Sequence, residues 1–202
     1  MSSWPAPCLD GIRILDLSRL LPGPYATWLL GAMGADVLRV ESPGLGDYAR
    51  WMPPMLGPVS AMFHVINRGK RSIVVDLKTD AGREIVLKLV AGSDVVFEQF
   101  RPGVLDRLGI GYDVLRGVKP DVILCSLTGY GQTGPMAQAA GHDMNYQALA
   151  GVLALQGSRG GPPALSTPPM ADLVGAQTAV TAVVGALFRR LRTGEGAWLD
   201  VS

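Results

Sequence analysis

The sequence has few of the residues that cross-link small secreted proteins or hold metal ions. Its two cysteines, Cys8 and Cys125, are too few and too far apart for a disulfide framework or a zinc site. Its two histidines are His64, which we interpret as structural, and His142. We therefore expect a reducing, cytoplasmic setting and no metal centre.

An excess of charge of either sign is also lacking. The 18 basic and 17 acidic side chains leave a formal net charge of +1, so no strong field favours nucleic acid or an anionic membrane. The start of the chain lacks the basic and apolar regions of a signal peptide. Polar residues such as Gln177 and Thr181 interrupt the longest apolar stretch, which favours a core helix over a membrane span of about 20 apolar residues. We predict neither a nucleic-acid partner nor a membrane partner.

The sequence is rich in apolar residues and in glycine and proline, which are common in turns. Hydrophobic residues make up 48% of the chain, with 26 glycines and 15 prolines, which is typical of a globular protein with a sizeable core. Branched apolar runs predict strands at 12–17, 36–41, 72–77, 94–98 and 121–125, and a further strand beginning at 197. Helical patterns lie between them at 25–33, 79–91, 104–108 and 112–117. This alternation predicts a doubly wound α/β fold, with a mainly parallel, Rossmann-like sheet and helices on both faces.

One region breaks the alternation. Residues 42–69 are rich in proline, glycine, methionine and aromatic side chains. A segment of this length inside a compact domain is either functional or contains short helices. A lid, a partner contact and plain core packing all remain open.

Polar residues follow several of the predicted strands. Arg39, Lys78 and Arg101 come from three separate strand ends, and Gln99 and Phe100 precede the last of them. Ligands of doubly wound sheets bind outside the carboxyl ends of the strands. Together these cations predict a phosphate-binding rim, although each alone is equally well a solvated surface charge.

A glycine pattern at 129–134 matches the dinucleotide motif G-x-G-x-x-G and follows a strand. Pro135 follows at once, no helix opens there, and no acidic residue lies about 20 positions further on. A substrate loop or a simple turn therefore fits better than a nicotinamide or flavin site.

The segment from 141 to 146 contains the first catalytic candidate, His142. Gly141 permits close approach of the backbone, and we expect Asp143 to fix the orientation of the imidazole. Asn145 and Tyr146 begin a predicted helix, whose free N-terminal amides we expect to face the same space and to stabilise an anion or an enolate.

The second candidate is Asp172, thirty residues after His142 and at the head of another apolar helix. An imidazole and a carboxylate brought together can exchange protons with a carbon acid, or the carboxylate can attack a carbonyl. The alternatives are a core histidine bonded to the backbone and an aspartate that only caps its helix.

Six ordered motifs resemble those of a known family. They are GIRILD at 11–16, GADVLRVE at 34–41, NRGKRS at 67–72, DLK at 76–78, FRPG at 100–103 and GHDMNY at 141–146. From residue 9 to residue 202 the chain resembles the family III CoA-transferases, the carnitine and bile-acid CoA-transferase group that includes alpha-methylacyl-CoA racemase. The resemblance implies a CoA-binding and catalytic large domain at 9–202 after a flexible segment at 1–8. It also implies an acyl-CoA substrate, no tightly bound cofactor, and a homodimer in the full-length form.

The resemblance also assigns residues. It implies contacts with coenzyme A for Arg39, Asp76, Leu77, Lys78, Arg101 and Arg107. By their place in the chain, Gln99, Phe100, Gly141, Asp143, Asn145 and Tyr146 complete the predicted binding set.

Two reactions occur in the group that the chain resembles. In the transferases, the aspartate matching Asp172 attacks an acyl-CoA and passes through an anhydride and an aspartyl-CoA thioester. In the racemases, the residues matching His142 and Asp172 lie on opposite faces of the α-carbon, where one takes the proton and the other returns it. The histidine motif, and Leu21 in place of a polar residue in the first strand–helix turn, favour racemisation of a 2-methylacyl-CoA. CoA transfer through Asp172 is the alternative.

Members of the family are about twice as long as this chain. The chain therefore looks like their N-terminal half, which retains both catalytic candidates. An inactive, truncated CoA-binding domain is a further alternative.

Overall fold

A computed structural model describes residues 7–166 and 168–202, so most of the expected flexible segment at 1–8 lies outside the described residues. The strands are β1 (Arg13–Asp16), β2 (Asp36–Glu41), β3 (Met55–Leu56), β4 (Val59–Ser60), β5 (Arg71–Val74), β6 (Val95–Glu98), β7 (Ile123–Leu127) and β8 (Ala197–Val201). The α-helices are α1 (Pro22–Ala32), α2 (Ala61–Ile66), α3 (Asp80–Ala91), α4 (Val104–Arg107), α5 (Tyr112–Val118), α6 (Asp143–Leu149) and α7 (Met170–Thr193). Short 3₁₀ helices span Tyr48–Trp51 and Val152–Leu155.

Six of the strands form one parallel sheet in the order β5-β2-β1-β6-β7-β8. Successive side chains of a strand point to opposite faces. Ile14 and Phe97 accordingly pack in a core with α1 and α7, whereas Leu15 and Val96 pack in a second core with α3 and α5. The predicted doubly wound α/β fold is confirmed.

The irregular region at 42–69 contains short elements. It holds the 3₁₀ helix Tyr48–Trp51, the antiparallel hairpin β3–β4 and the helix α2. Ser60 starts α2 as its N-cap, because its side chain accepts a hydrogen bond from the backbone N–H of Phe63. The region connects β2 to β5 at one end of the sheet.

The strand order reverses at β1, which pairs with β2 on one side and β6 on the other. The chain builds outward from β1 to β2 and β5, then returns to the far side of β1 to build β6, β7 and β8. Connections leaving β1 and β6 therefore diverge to opposite faces of the sheet. Such a reversal leaves a crevice at the carboxyl ends of these strands.

Helix α7 is the one helix in the described part of the chain that is long and apolar enough, by length and composition alone, to cross a membrane. One of its faces carries Ala176, Ala179, Val183 and Leu187, which are buried in the core that α7 shares with α1 and the sheet. Large apolar side chains elsewhere on α7, such as Phe188 and Leu191, are exposed, so the helix is buried along one face only.

A buried polar cluster lies beneath the carboxyl ends of β1 and β2. The Lys70 ammonium donates to Asp16 at 3.1 Å and to Thr27 at 2.8 Å, and the Thr27 hydroxyl donates to Asp16 at 2.6 Å. Burial alone would raise the pKa of Asp16, but the charges of Lys70 and Arg39 and the hydrogen bonds from Ser18 and Thr27 hold that pKa below its usual value. The cluster gives a structural reason for Lys70 in the NRGKRS motif.

We expect Lys70→Met to reduce the free energy of unfolding by about 3–5 kcal/mol, because it leaves the buried Asp16 carboxylate without its cation. The Lys70 side chain is 3% exposed. The matched control is Arg71→Met, which breaks the solvent-exposed pair with Asp36 and should cost at most about 1 kcal/mol. Urea unfolding of both variants checks this, and equal losses would contradict the assigned role of Lys70.

Candidate active site

A cavity of about 700 Å³ opens at the carboxyl ends of β1, β6 and β7, where the strand order reverses. The predicted residues among those that line it are Gln99, Phe100, Arg101, Gly141, His142, Tyr146 and Asp172. The structure thus brings both catalytic candidates into one cavity. His142 enters it at the N-terminus of α6, and Asp172 enters it in the first turn of α7.

Asp143 joins the two helices that carry these candidates. Its Oδ1 accepts hydrogen bonds from the backbone N–H groups of Ala171 at 2.6 Å and Asp172 at 3.1 Å, and its Oδ2 accepts one from Gln147 at 2.6 Å. Asp143 therefore caps α7 from a neighbouring helix. This corrects the expectation that Asp143 orients the imidazole, because both of its oxygens bond elsewhere.

The Asp172 carboxylate has an unusual electrostatic setting. Burial and then the charge of Asp143 raise the pKa of Asp172 to about 6, and His142 partly offsets this. Within the described residues no side chain or backbone group donates a hydrogen bond to this carboxylate. At pH 7 most of the population is ionised, only partly solvated and open to the cavity, which suits a nucleophile or a base.

Several backbone groups in the first turn of α6 are hydrogen-bonded within that turn. The His142 backbone N–H donates to Asn145 Oδ1 at 2.9 Å, and the backbone N–H groups of Asn145 and Tyr146 donate to the His142 carbonyl at 2.8 and 3.3 Å. The expectation that these two amides point freely into the site was wrong. They are used within the turn that holds His142.

Tyr146 explains two glycines of the sequence motifs. Its hydroxyl donates to the Gly141 carbonyl at 2.7 Å, and its ring meets Tyr130 edge-on at 5.2 Å. A Cβ at Gly129 would lie 2.4 Å from the Tyr146 hydroxyl, and one at Gly141 would lie 2.6 Å from the ring. Gly129 therefore makes room for an aromatic side chain and lines the large cavity, so a substrate loop and a simple turn both remain interpretations of the 129–134 glycines.

The residues that follow β6 form part of the cavity wall. Gln99 Oε1 accepts hydrogen bonds from the backbone N–H groups of Arg19 at 3.3 Å and Gly23 at 3.1 Å. The Arg19 guanidinium lies 5.8 Å from the centre of the Phe100 ring. Arg19 and Arg101 thus place two cations at one wall of the cavity.

A smaller cavity of about 230 Å³ adjoins this wall and shares Arg101 with it. Its floor holds Glu98, which is buried and accepts a hydrogen bond from the Phe100 backbone N–H at 2.7 Å. Burial raises the pKa of Glu98 to about 7, although hydrogen bonds from Ser126 and Phe100 oppose this.

Arg39 lies elsewhere than expected. It is 1% exposed, inside β2 rather than at its end, and its guanidinium bonds to Asp47 and Asn67. This corrects the prediction that Arg39 lies on an exposed rim. The structural reason is that Arg39 neutralises the buried Asp47 carboxylate.

The remaining predicted coenzyme A contacts lie outside the residues that line the cavity. Asp76, Leu77 and Lys78 form the turn between β5 and α3, where Asp76 Oδ1 accepts the Lys78 backbone N–H at 3.0 Å. Arg107 is exposed at the end of α4. These side chains remain predicted contacts.

The lining residues that sequence reasoning missed include Arg19 and Leu20. Both follow β1, so they too are strand-end residues. Both could have been predicted from the sequence, because ligands of doubly wound sheets bind at the carboxyl ends of the strands, and the turn after the first strand is one of these ends.

The profile of CoA-transferase family III matches residues 9–202. Succinyl-CoA:glutarate CoA-transferase of Mus musculus is 44% identical over 193 residues, which are 95% of this chain and 44% of that protein. Acetyl-CoA:oxalate CoA-transferase of Acetobacter aceti is 41% identical over 194 residues, which are 96% of this chain and 50% of that protein. A solved CAIB/BAIF family protein from Brucella suis superposes with a TM-score of 0.93 at 41% identity, covering 98% of this chain and 53% of that one.

The chain spans about half the length of the curated relatives it matches, as expected for an N-terminal half. The profile match covers nearly the whole chain, and the superposition preserves the sheet on which the cavity is built. The chain therefore belongs to CoA-transferase family III.

Proposed function

We propose that the protein is an enzyme that transfers coenzyme A from an acyl-CoA to a free carboxylic acid, with Asp172 as the nucleophile. The observation that carries the proposal is the Asp172 carboxylate at the head of α7. It lines the large cavity, accepts no hydrogen bond within the described residues, and has a pKa raised to about 6. A carboxylate in this state is ionised at neutral pH but poorly solvated, which favours attack on a carbonyl.

The similar proteins support transfer over racemisation, the reaction that the histidine motif had favoured. The relatives from Mus musculus and Acetobacter aceti are both named as CoA-transferases. The free acids in their names, glutarate and oxalate, are both dicarboxylic acids. We propose that the acceptor here is also a small dicarboxylic acid.

The proposed reaction has four steps, in which every bond broken is matched by a bond formed. Asp172 attacks the thioester carbonyl, the C–S bond breaks, and an acyl-aspartyl anhydride and the CoA thiolate form. The thiolate attacks the aspartyl carbonyl, which releases the donor acid and leaves an aspartyl-CoA thioester. The carboxylate of the acceptor attacks that thioester to give a new anhydride and the thiolate. The thiolate then attacks the acceptor's carbonyl, which forms the product thioester and regenerates Asp172.

The neighbouring residues give this chemistry its setting. Asp143 holds the first turn of α7 in place and raises the pKa of Asp172. Arg101 lines the same cavity with Gln99 and Phe100, which supports the proposal that it binds the coenzyme A moiety. Two arginines at the wall favour a substrate with several anionic groups.

We expect Asp172→Ala to reduce kcat at least about 10³-fold, because it removes the nucleophile. Incubation of the full-length protein with acyl-CoA followed by hydroxylamine should modify Asp172 and inactivate the enzyme. Asp80→Asn, which changes an exposed first-turn aspartate of α3, is the control and should behave as wild type. Hydroxylamine that leaves Asp172 unmodified in active enzyme would exclude the aspartyl intermediate.

We expect kcat/KM for the acyl-CoA to fall as the pH drops below about 6, since kcat/KM follows ionisation in the free enzyme and Asp172 has to be ionised to attack. Asp143→Asn should move this acid limb to lower pH, because the Asp143 charge raises the pKa of Asp172. Asparagine retains an oxygen that can cap α7. Initial rates between pH 4.5 and 8.5 measure the shift, and a limb that stays in place or moves upward would contradict the assignment.

Racemisation of a 2-methylacyl-CoA is the second candidate, and the presence of His142 in the same cavity as Asp172 favours it. If transfer is the activity, we expect His142→Gln to lower the transfer rate by no more than about tenfold, because the covalent route needs no second base. Wild-type protein should then retain deuterium at the α-carbon of an enantiopure substrate. Loss of that label to solvent, abolished by His142→Gln, would establish the racemase reaction instead.

A further inference from the structure

Leu20 has a backbone conformation that its side chain disfavours. Its φ is +61°, and it is the one non-glycine residue with positive φ in the part of the chain that the structure describes. A bulky side chain in this left-handed region is a conformational outlier, and such outliers persist where the surrounding structure holds them. Leu20 also lines the cavity that contains Asp172.

Asp47 holds this conformation from 27 residues away. Both of its carboxylate oxygens accept a hydrogen bond from the Leu20 backbone N–H, at 3.1 and 3.0 Å. Asp47 is 3% exposed, and its Oδ1 also accepts the Ala49 backbone N–H at 2.9 Å. The Arg39 guanidinium bonds to Oδ2 of Asp47, so the carboxylate is fixed in position.

Gln99 fixes the same turn, residues 18–23, from the other side through the backbone N–H groups of Arg19 and Gly23. A Cβ at Gly23 would lie 2.3 Å from Gln99 Oε1, so the contact leaves no room for a side chain. The turn is thus bonded to two distant parts of the chain. It carries Arg19, for which the described residues offer no carboxylate partner, into the cavity wall.

We infer that Asp47 is a positioning residue for substrate binding. Asp47 holds Leu20 in the left-handed conformation, and this conformation fixes the 18–23 turn. The fixed turn keeps Arg19 in the cavity wall. The inference depends on the proposed function, since it takes this cavity as the substrate site. According to this inference, substrate binding depends on the backbone conformation of residue 20 and not on its side chain.

The competing explanation is that the Leu20 side chain simply supplies apolar wall. The two explanations predict opposite orders for three variants. Glycine and asparagine adopt positive φ readily but have no comparable apolar side chain. Isoleucine keeps the volume and the apolar character of leucine, but its branched Cβ is strongly disfavoured at positive φ.

The experiment measures kcat and KM of the full-length enzyme for the acyl-CoA in Leu20→Gly, Leu20→Asn and Leu20→Ile. We expect Leu20→Gly and Leu20→Asn to stay within about threefold of wild-type KM, and Leu20→Ile to raise KM about tenfold with little change in kcat. The reverse order, equal increases in all three variants, or no change in any would each overturn the inference.

Asp47→Ala tests the hydrogen bond itself. In the wild-type background it should raise KM about tenfold, whereas in the Leu20→Gly background the increase should be below about threefold, because glycine adopts positive φ without a steric penalty that Asp47 has to offset. Asp94→Ala removes a carboxylate that accepts a backbone N–H elsewhere in the fold, from Arg13 at 2.8 Å, and should have the same effect in both backgrounds. Thermal unfolding confirms that each variant is folded, and the Leu20 series decides the question if Asp47→Ala is not.

Equal effects of Asp47→Ala in both backgrounds would exclude this role for Asp47. Failure of this inference can be distinguished from failure of the proposed function. If the wild-type enzyme has no transfer activity, the proposed function alone is refuted. Wild-type enzyme that transfers CoA but shows no coupling between residues 20 and 47 refutes only the inference.

Discussion

The reversal of strand order at β1 is the constraint on which the site depends. Because β1 pairs with β2 on one side and β6 on the other, the connections that leave β1 and β6 diverge and open a crevice at the carboxyl ends of these strands. The charges beneath the crevice are matched, with Lys70 against Asp16 and Arg39 against Asp47. Buried charges are tolerated only when they are paired and hydrogen-bonded, so this cluster gives the crevice a rigid floor.

Asp143 affects both the position and the pKa of Asp172. The carboxylate that caps α7, and so fixes the first turn carrying Asp172, is also the second-largest cause of the raised pKa of Asp172. A neutral cap would position the helix equally well but would leave the Asp172 carboxyl group more acidic. The carboxylate therefore raises the basicity of Asp172 while leaving it mostly ionised at neutral pH.

Local patterns predicted most of the fold, since the strands are apolar runs and helix α3 begins at a recognisable cap, Thr79. The same reasoning identified the site's two candidates by residue type. It failed where a side chain's partner is distant in sequence. Arg39 was expected at an exposed rim because Asp47 is not recognisable as its partner in the sequence, and Asp143 was assigned to His142 because its true partners lie 28 and 29 residues away.

The sequence by itself determined the parallel α/β sheet, the strand-end location of the large cavity and the residue types available for chemistry. These follow from side-chain periodicity and from the geometry common to doubly wound sheets. Only the tertiary structure decided which strand ends meet, which charges are neutralised inside the fold and which backbone groups the carboxylates hold. Those outcomes depend on contacts between residues far apart in the chain, whose pairing no local pattern encodes. The conformation of Leu20 is the clearest case, because nothing in its neighbouring sequence requires the left-handed turn that Asp47 maintains.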